Sequence, residues 1–302
     1  MTLFEKACQA EDAEACLALC TFPNTDQALD KSVSRLEIAC KAQLPEGCFL
    51  LARALNAGHG VKKDRIRARA LFEQACTAGQ REACVELGHA LRMGWGGPRE
   101  LDRAAAIFQR GCDAEALSAC RGLAELLIGD HNVELDTAAL VLTLEEACDR
   151  NDFSACDVLG RMRAQAKGVE RDLPAAIELF HKACDGGDPS GCHSLGLSML
   201  MPSKTPLDTD KAISLLDGAC TAGIAMACKN LGVLYFEGRV VAQDLERATA
   251  LYTQACDEDE ALGCFNLALM LESQDAEAER RRHLLERACA LGVEPACAKL
   301  SP

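Results

Sequence analysis

KNLGVLYFEGRVVAQDLERATALYTQAC, Lys229–Cys256, carries the plan of the whole chain. Cys228 stands just before it, and Cys228, Leu231 and Tyr235 are spaced i, i+3, i+7, the stripe of one helix face. Gly232, next to the leucine, leaves room for a close helix neighbour. Gly238-Arg239-Val240 then interrupts the pattern, with glycine where a helix ends in the left-handed conformation. Asp244 opens a second helix as its cap, Ala248 and Tyr252 repeat four residues apart, and Ala255-Cys256 closes it. The stretch reads as helix, turn, helix, with about 13 residues in each helix.

The same reading recurs along the 302 residues. Eighteen of the 19 cysteines form nine pairs spaced i, i+8. The pairs are Cys8 with Cys16, Cys40 with Cys48, Cys76 with Cys84, Cys112 with Cys120, Cys148 with Cys156, Cys184 with Cys192, Cys220 with Cys228, Cys256 with Cys264 and Cys289 with Cys297. First members recur every 36 residues from Cys40 to Cys256, and at 32 and 33 at the two ends. A strict period means one supersecondary unit stacked many times. The units expected are 14–45, 46–81, 82–117, 118–153, 154–189, 190–225, 226–261 and 262–294, with partial units 1–13 and 295–302, all in one domain spanning 1–302. Each full unit has leucine sixth (Leu51, Leu87, Leu123, Leu159, Leu195, Leu231) and a small residue beside it. An acid recurs where the second helix begins: Asp64, Glu100, Asp136, Asp172, Asp208 and Asp244. A bulky residue follows at Phe72, Phe108, Leu144, Phe180, Leu216 and Tyr252. The fold class is all-α, a solenoid of about eight helix–turn–helix repeats.

Composition narrows the function. Hydrophobic content is 49% with only 4% aromatic, so the core is built of Leu, Ala, Val and Ile, and the Ala/Leu bias favours helix. A formal net charge of -14 repels phosphate backbones, which argues against a nucleic-acid partner. The basic runs Lys62–Arg67 and Arg280–His283 read as solvated helix faces. No stretch reaches the roughly 18–20 apolar residues of a membrane span. MTLFEKACQA lacks a basic region followed by an apolar one, so no signal peptide is expected there.

The N-L-G, Y-x-x-G and A-x-x-L-Y-x-x-A-C elements of Lys229–Cys256 resemble the Sel-1-like repeat, a relative of the tetratricopeptide repeat. The paired cysteines are similar to those of its cysteine-rich, Hcp-type branch. The resemblance covers nearly the whole chain. It departs at the loops Asp130-His131-Asn132 and Pro202-Ser203-Lys204-Thr205 and at the shortened end units. It implies a right-handed solenoid that binds a protein or extended peptide in a concave groove, as a monomer without cofactor. Some relatives in that branch are penicillin-binding or β-lactamase-like proteins, so a hydrolase of that type is the alternative. An assembly factor of the mitochondrial intermembrane space is a second alternative.

If the helices flanking each cysteine pair are antiparallel, both sulfurs meet across the hairpin base, within the roughly 4.4–6.8 Å between Cα atoms that a disulfide tolerates. Structural zinc prefers C-x₂₋₄-C, and C-x₇-C with no recurring histidine does not fit it, whereas reduced cysteine as a small buried hydrophobe is an alternative reading. Oxidised pairs would favour a periplasmic or secreted location, with the cytoplasm or mitochondrial intermembrane space as alternatives. Cys20 is left as a free thiol.

Catalytic signals are weak. The chain has no Ser-x-x-Lys, Ser-Asp-Asn, Lys-Thr-Gly or His-Glu-x-x-His; Ser203-Lys204-Thr205-Pro206 reads as a loop. No catalytic or metal-ligating residue is assigned. His59, His89, His131, His181, His193 and His283 read as surface or loop residues, and Trp95 as a packing anchor for its Gly-rich loop. The resemblance places groove contacts on the first helix beside the repeated leucine. Asn230 and Asn266 lead there, because an amide both donates to and accepts from a peptide backbone. Ser194, Tyr235, Arg161 and Arg53 are the secondary candidates.

Overall fold

A computed structural model describes residues 7–8, 10, 12–21, 29–129, 137–201, 208–271 and 278–300. The chain divides into two compact bodies, residues 1–136 and 137–302. All regular structure among the described residues is helical, in seventeen helices. The N-terminal body holds α1 (Ala13–Thr21), α2 (Leu29–Lys41), α3 (Pro45–Ala57), α4 (Arg65–Thr77), α5 (Arg81–Met93), α6 (Leu101–Asp113) and α7 (Leu117–Ile128). The C-terminal body holds α8 (Thr137–Asp149), α9 (Phe153–Gln165), α10 (Leu173–Asp185), α11 (Pro189–Met199), α12 (Thr209–Thr221), α13 (Ala225–Glu237), α14 (Leu245–Asp257), α15 (Ala261–Met270), α16 (Ala278–Ala290) and α17 (Glu294–Leu300). The architecture belongs to the α-solenoid class of helix–turn–helix repeats.

The expected punctuation is in place. Gly58, Gly94 and Gly238 end α3, α5 and α13 at φ of 81°, 75° and 67°, a conformation that costs other residues a steric clash at Cβ. Asp64, Asp172, Asp208 and Asp244 each accept from the backbone N–H three residues on, capping α4, α10, α12 and α14. Glu100 departs from this: it makes no cap bond and instead pairs with Arg69 and Arg103. Arg69 also donates to the Pro98 carbonyl at 2.9 Å, and Arg65 lies 4.9 Å over the Trp95 ring, so two arginines of α4 pin that Gly-rich loop. Asp136, His131 and the 202–206 loop lie outside the described residues.

Packing follows the small–large alternation of the repeat. A Cβ added to Gly88 would sit 2.6 Å from the Phe108 ring, and one on Gly122 of the following repeat would also strike that ring. One buried phenylalanine thus fills the space left by two glycines and joins two repeats. Gly160 and Gly232 make the same room for Phe180 and Tyr252, each 2.7 Å from an added Cβ. Burying one such ring contributes about 1.5–3 kcal/mol. First helices of successive repeats also touch one another, α5 against α7, α9 against α11 and α13 against α15.

All nine cysteine pairs are disulfides, with Cα atoms 4.4–4.8 Å apart. In the N-terminal body Cys8 is bonded to Cys16, Cys40 to Cys48, Cys76 to Cys84 and Cys112 to Cys120. In the C-terminal body Cys148 is bonded to Cys156, Cys184 to Cys192, Cys220 to Cys228, Cys256 to Cys264 and Cys289 to Cys297. Each bond ties the end of one repeat's second helix to the start of the next repeat's first helix. So close an approach needs small neighbours: a Cβ on Gly47 would lie 2.6 Å from that of Ala39, and one on Gly263 2.7 Å from that of Ala255. Oxidised pairing replaces the zinc and free-thiol readings of these eighteen residues. Cys20 lies on α1, and its side chain is outside the described residues.

Candidate functional site

On the C-terminal body, the first helices α9, α11 and α13 carry a staggered polar ladder. The Asp157 side chain is almost fully buried, accepts from Ser194 Oγ at 2.6 Å and pairs with Arg161 one turn along α9 at 3.5 Å. One repeat further, Asn230 Nδ2 lies 2.9 Å from His193 Nε2. Each cross-helix bond spans 37 residues, one repeat plus one, because each helix is offset against the next. Burial, helped by the positive charges of Arg161 and Lys229, lowers the His193 pKa to about 4. The ring is therefore neutral at neutral pH, and since the amide nitrogen can only donate, Nε2 accepts. Ser194 and His193 are sequence neighbours, yet one is bonded to Asp157 and the other to Asn230, so no Ser–His relay forms.

Beyond the ladder the same layer becomes apolar. A cleft of about 270 Å³ lies between α13 and α15, lined by Val233, Phe236, Glu237, Tyr252, Asn266, Leu269 and Met270. Burial and the Glu237 charge push the Tyr252 pKa up to about 12, while a hydrogen bond from Asn266 opposes them. Tyr252 is thus a neutral phenol paired with Asn266 at the cleft. Phe236 and Leu269 are its exposed apolar walls, Phe236 at 45%, and Met226 and Leu262 are exposed nearer the starts of the same two helices. The helical spacing Met226, Asn230, Val233 on α13 is matched by Leu262, Asn266, Leu269 on α15.

The six sequence-derived contact residues thus have different settings. Ser194, Arg161 and Asn230 meet in the ladder, and Asn266 lines the apolar cleft. Tyr235 turns to its second helix, where Arg247 stacks 4.5 Å over its ring. Arg53 belongs to the N-terminal body and lies 5.7 Å over Phe49. Sequence reasoning missed Asp157 and took His193 for a surface residue. The signal was present in their register, which runs Phe49, Val85, Arg121, Asp157, His193, Lys229, Phe265 and so turns polar only in the middle. His89 is a second correction: it packs edge-on to Phe108 at 5.1 Å between ring centres, and burial, together with Arg92 and Arg121, lowers its pKa to about 4 against the opposing pull of Glu125. His59, His181 and His283 are exposed as expected.

First helices of the N-terminal body offer a charged face instead. Burial raises the Glu86 pKa against the pull of Arg53, and Arg92 lies 3.8 Å from Glu125. Among the described residues no group of three or more His, Cys, Asp and Glu side chains gathers as a metal site. No helix among them is long and apolar enough to cross a membrane.

The Sel1 repeat model matches residues 45–80, 81–115, 154–188 and 225–260. This is a Sel1-repeat protein. A protective antigen of uropathogenic Escherichia coli with an SLR fold is similar in structure, at a TM-score of 0.52 and 20% identity over 98% of this chain and 65% of that one. The chain therefore spans a little under two thirds of that protein's length. A Sel1 repeat protein from Oxalobacter formigenes aligns at a TM-score of 0.57 and 18% identity over 81% of this chain and 96% of its own. Cysteine rich protein B of Helicobacter pylori aligns over 39% of this chain and 86% of its own, at 27% identity and a TM-score of 0.33. Among curated proteins, none matches the sequence significantly.

Proposed function

We propose that this Sel1-repeat chain is a binding scaffold whose first-helix face on the C-terminal body docks an extended segment of a partner protein. The apolar cleft beside Asn266 carries the reading, because it joins exposed apolar walls to an amide in a repeat layer otherwise closed by its own contacts. Its volume suits one large side chain, and Asn266 keeps hydrogen-bonding capacity beyond its bond to Tyr252. Glu237 at the cleft and a net charge of -14 favour a segment with a basic residue next to its apolar anchor. Nine disulfides support an oxidising, extracytoplasmic environment, which we read as periplasmic or secreted.

Selection from a random peptide library against the oxidised chain tests this. Enriched peptides should pair an aromatic or long aliphatic residue with Lys or Arg, and Leu269→Glu should weaken them at least about tenfold, roughly 1.4 kcal/mol. Failure to enrich any sequence, or equal binding by Leu269→Glu, would overturn the proposal.

A further inference from the structure

Arg81 breaks a register. Its counterparts at the same place in the other repeats are Pro45, Leu117, Phe153, Pro189, Ala225, Ala261 and Glu294, none of them positively charged. In the C-terminal body, Phe153 at the start of α9 turns its ring onto Gly186, just after α10, so closely that a Cβ there would collide with it. The equivalent pair in the N-terminal body is Arg81 and Ala114. Both line a cleft of about 540 Å³ between α4 and α6, over the first turns of α5. Where Phe153 sets a ring against Gly186, this repeat has an exposed guanidinium and an open cleft.

The cleft has an apolar wall and a positive rim. Val85, Ala106, Ile107 and the Cys76–Cys84 disulfide form the wall, and Arg81, Arg103 and Arg110 the cations. Arg103 is matched by Glu73 and Glu100. Among the described residues neither Arg81 nor Arg110 has a carboxylate partner; Arg110 Nε donates to the Ala106 carbonyl at 3.3 Å. Two unmatched cations beside an apolar wall stand out in a chain whose net charge is -14.

We propose that this cleft binds a small aromatic acid, its ring where Phe153 puts one in the equivalent repeat and its carboxylate between Arg81 and Arg110. Guanidinium groups hold carboxylates through charge-assisted hydrogen bonds, and the apolar wall takes the ring. The site lies between two second helices of the other body and the start of α5, so it stands independently of peptide docking.

The probe is 2-naphthylacetate, titrated into the full oxidised chain by its fluorescence, with 2-naphthylethanol as the uncharged control. The acid should saturate with Kd at or below about 1 mM, and the alcohol should bind at least about tenfold more weakly. R81F, which supplies the ring found at residue 153, should abolish binding with the helical circular dichroism spectrum retained. R110Q should weaken the acid about tenfold, and it carries the test alone if R81F does not fold. No saturable binding, equal affinity for the alcohol, undiminished binding by R110Q, or full binding by a folded R81F would each overturn the site. So would tighter binding of an acidic decapeptide than of the naphthyl acid.

Discussion

Each of the two bodies packs its core by the same rule, and they differ on the face that the core supports. In both, a bulky residue of the second helix fills the gap beside a glycine of the first, as Phe108 does at Gly88 and Phe180 at Gly160. Their outward registers diverge. Glu86, Arg92 and Glu125 make the N-terminal first-helix layer charged, whereas Met226, Phe236, Leu262 and Leu269 expose apolar side chains on the C-terminal layer. A repeat fixes only the positions that touch its neighbours, so the rest are free to specialise.

The strongest challenge to the shared core is a matched deletion. Phe108→Ala and Phe180→Ala should each lower stability by about 3–5 kcal/mol in chemical denaturation, with Phe108, closed over by two glycines, at the upper end. A small cost in one body only would break the parallel.

Acid should reach both bodies through one histidine in each, the half-buried His89 and the buried His193. The folded pKa values of His89 and His193, about 4, lie below the unfolded value of about 6.5, so the unfolded chain binds more protons in between. That stability is complete above about pH 6.5 and is lost as pH falls toward 4, on the order of 3 kcal/mol per histidine. Denaturation midpoints measured across that range should fall less steeply in His89→Phe and in His193→Gln. Parent-like slopes in both variants would remove histidine as the cause.

A single staple should matter slightly less. Each disulfide closes a loop of about 9 residues, worth on the order of 2.5 kcal/mol in the chain-entropy model. Replacing Cys184 and Cys192 together by Ala should cost about that in guanidinium titration. Replacing Cys112 and Cys120 in the other body should cost the same, and a twofold difference between the bodies would show that the staples are not equivalent.

The smallest effect separates the ladder from the charged face. Asn230→Ala removes a partner of buried His193 and should cost about 1–2 kcal/mol, while Glu82→Ala, at an exposed position on α5, should stay within about 0.5 kcal/mol. Equal costs would mean that the ladder adds nothing beyond what exposed polar residues contribute.

Much of this was legible from spacing. The cysteine period, the sixth-position leucine and the recurrent Asp located helix pairs, caps and disulfides, because each depends on contacts repeated at fixed sequence distance. Asn266 was also legible as a candidate, from its place beside a leucine. Asp157 and His193 were not, since a single unusual residue in a register does not reveal whether the next helix buries it. Ser194 looked like a free contact, yet its hydroxyl is bonded to Asp157 across 37 residues of sequence.

The sequence by itself determined the repeat, its helices and which cysteines face one another, because local propensity and a strict period leave one arrangement of neighbours. Only the tertiary structure decided which polar side chains are spent on one another and which clefts stay open. That depends on how adjacent helices are offset and on what fills the space between them, as Phe153 does in one repeat and Arg81 does not in another.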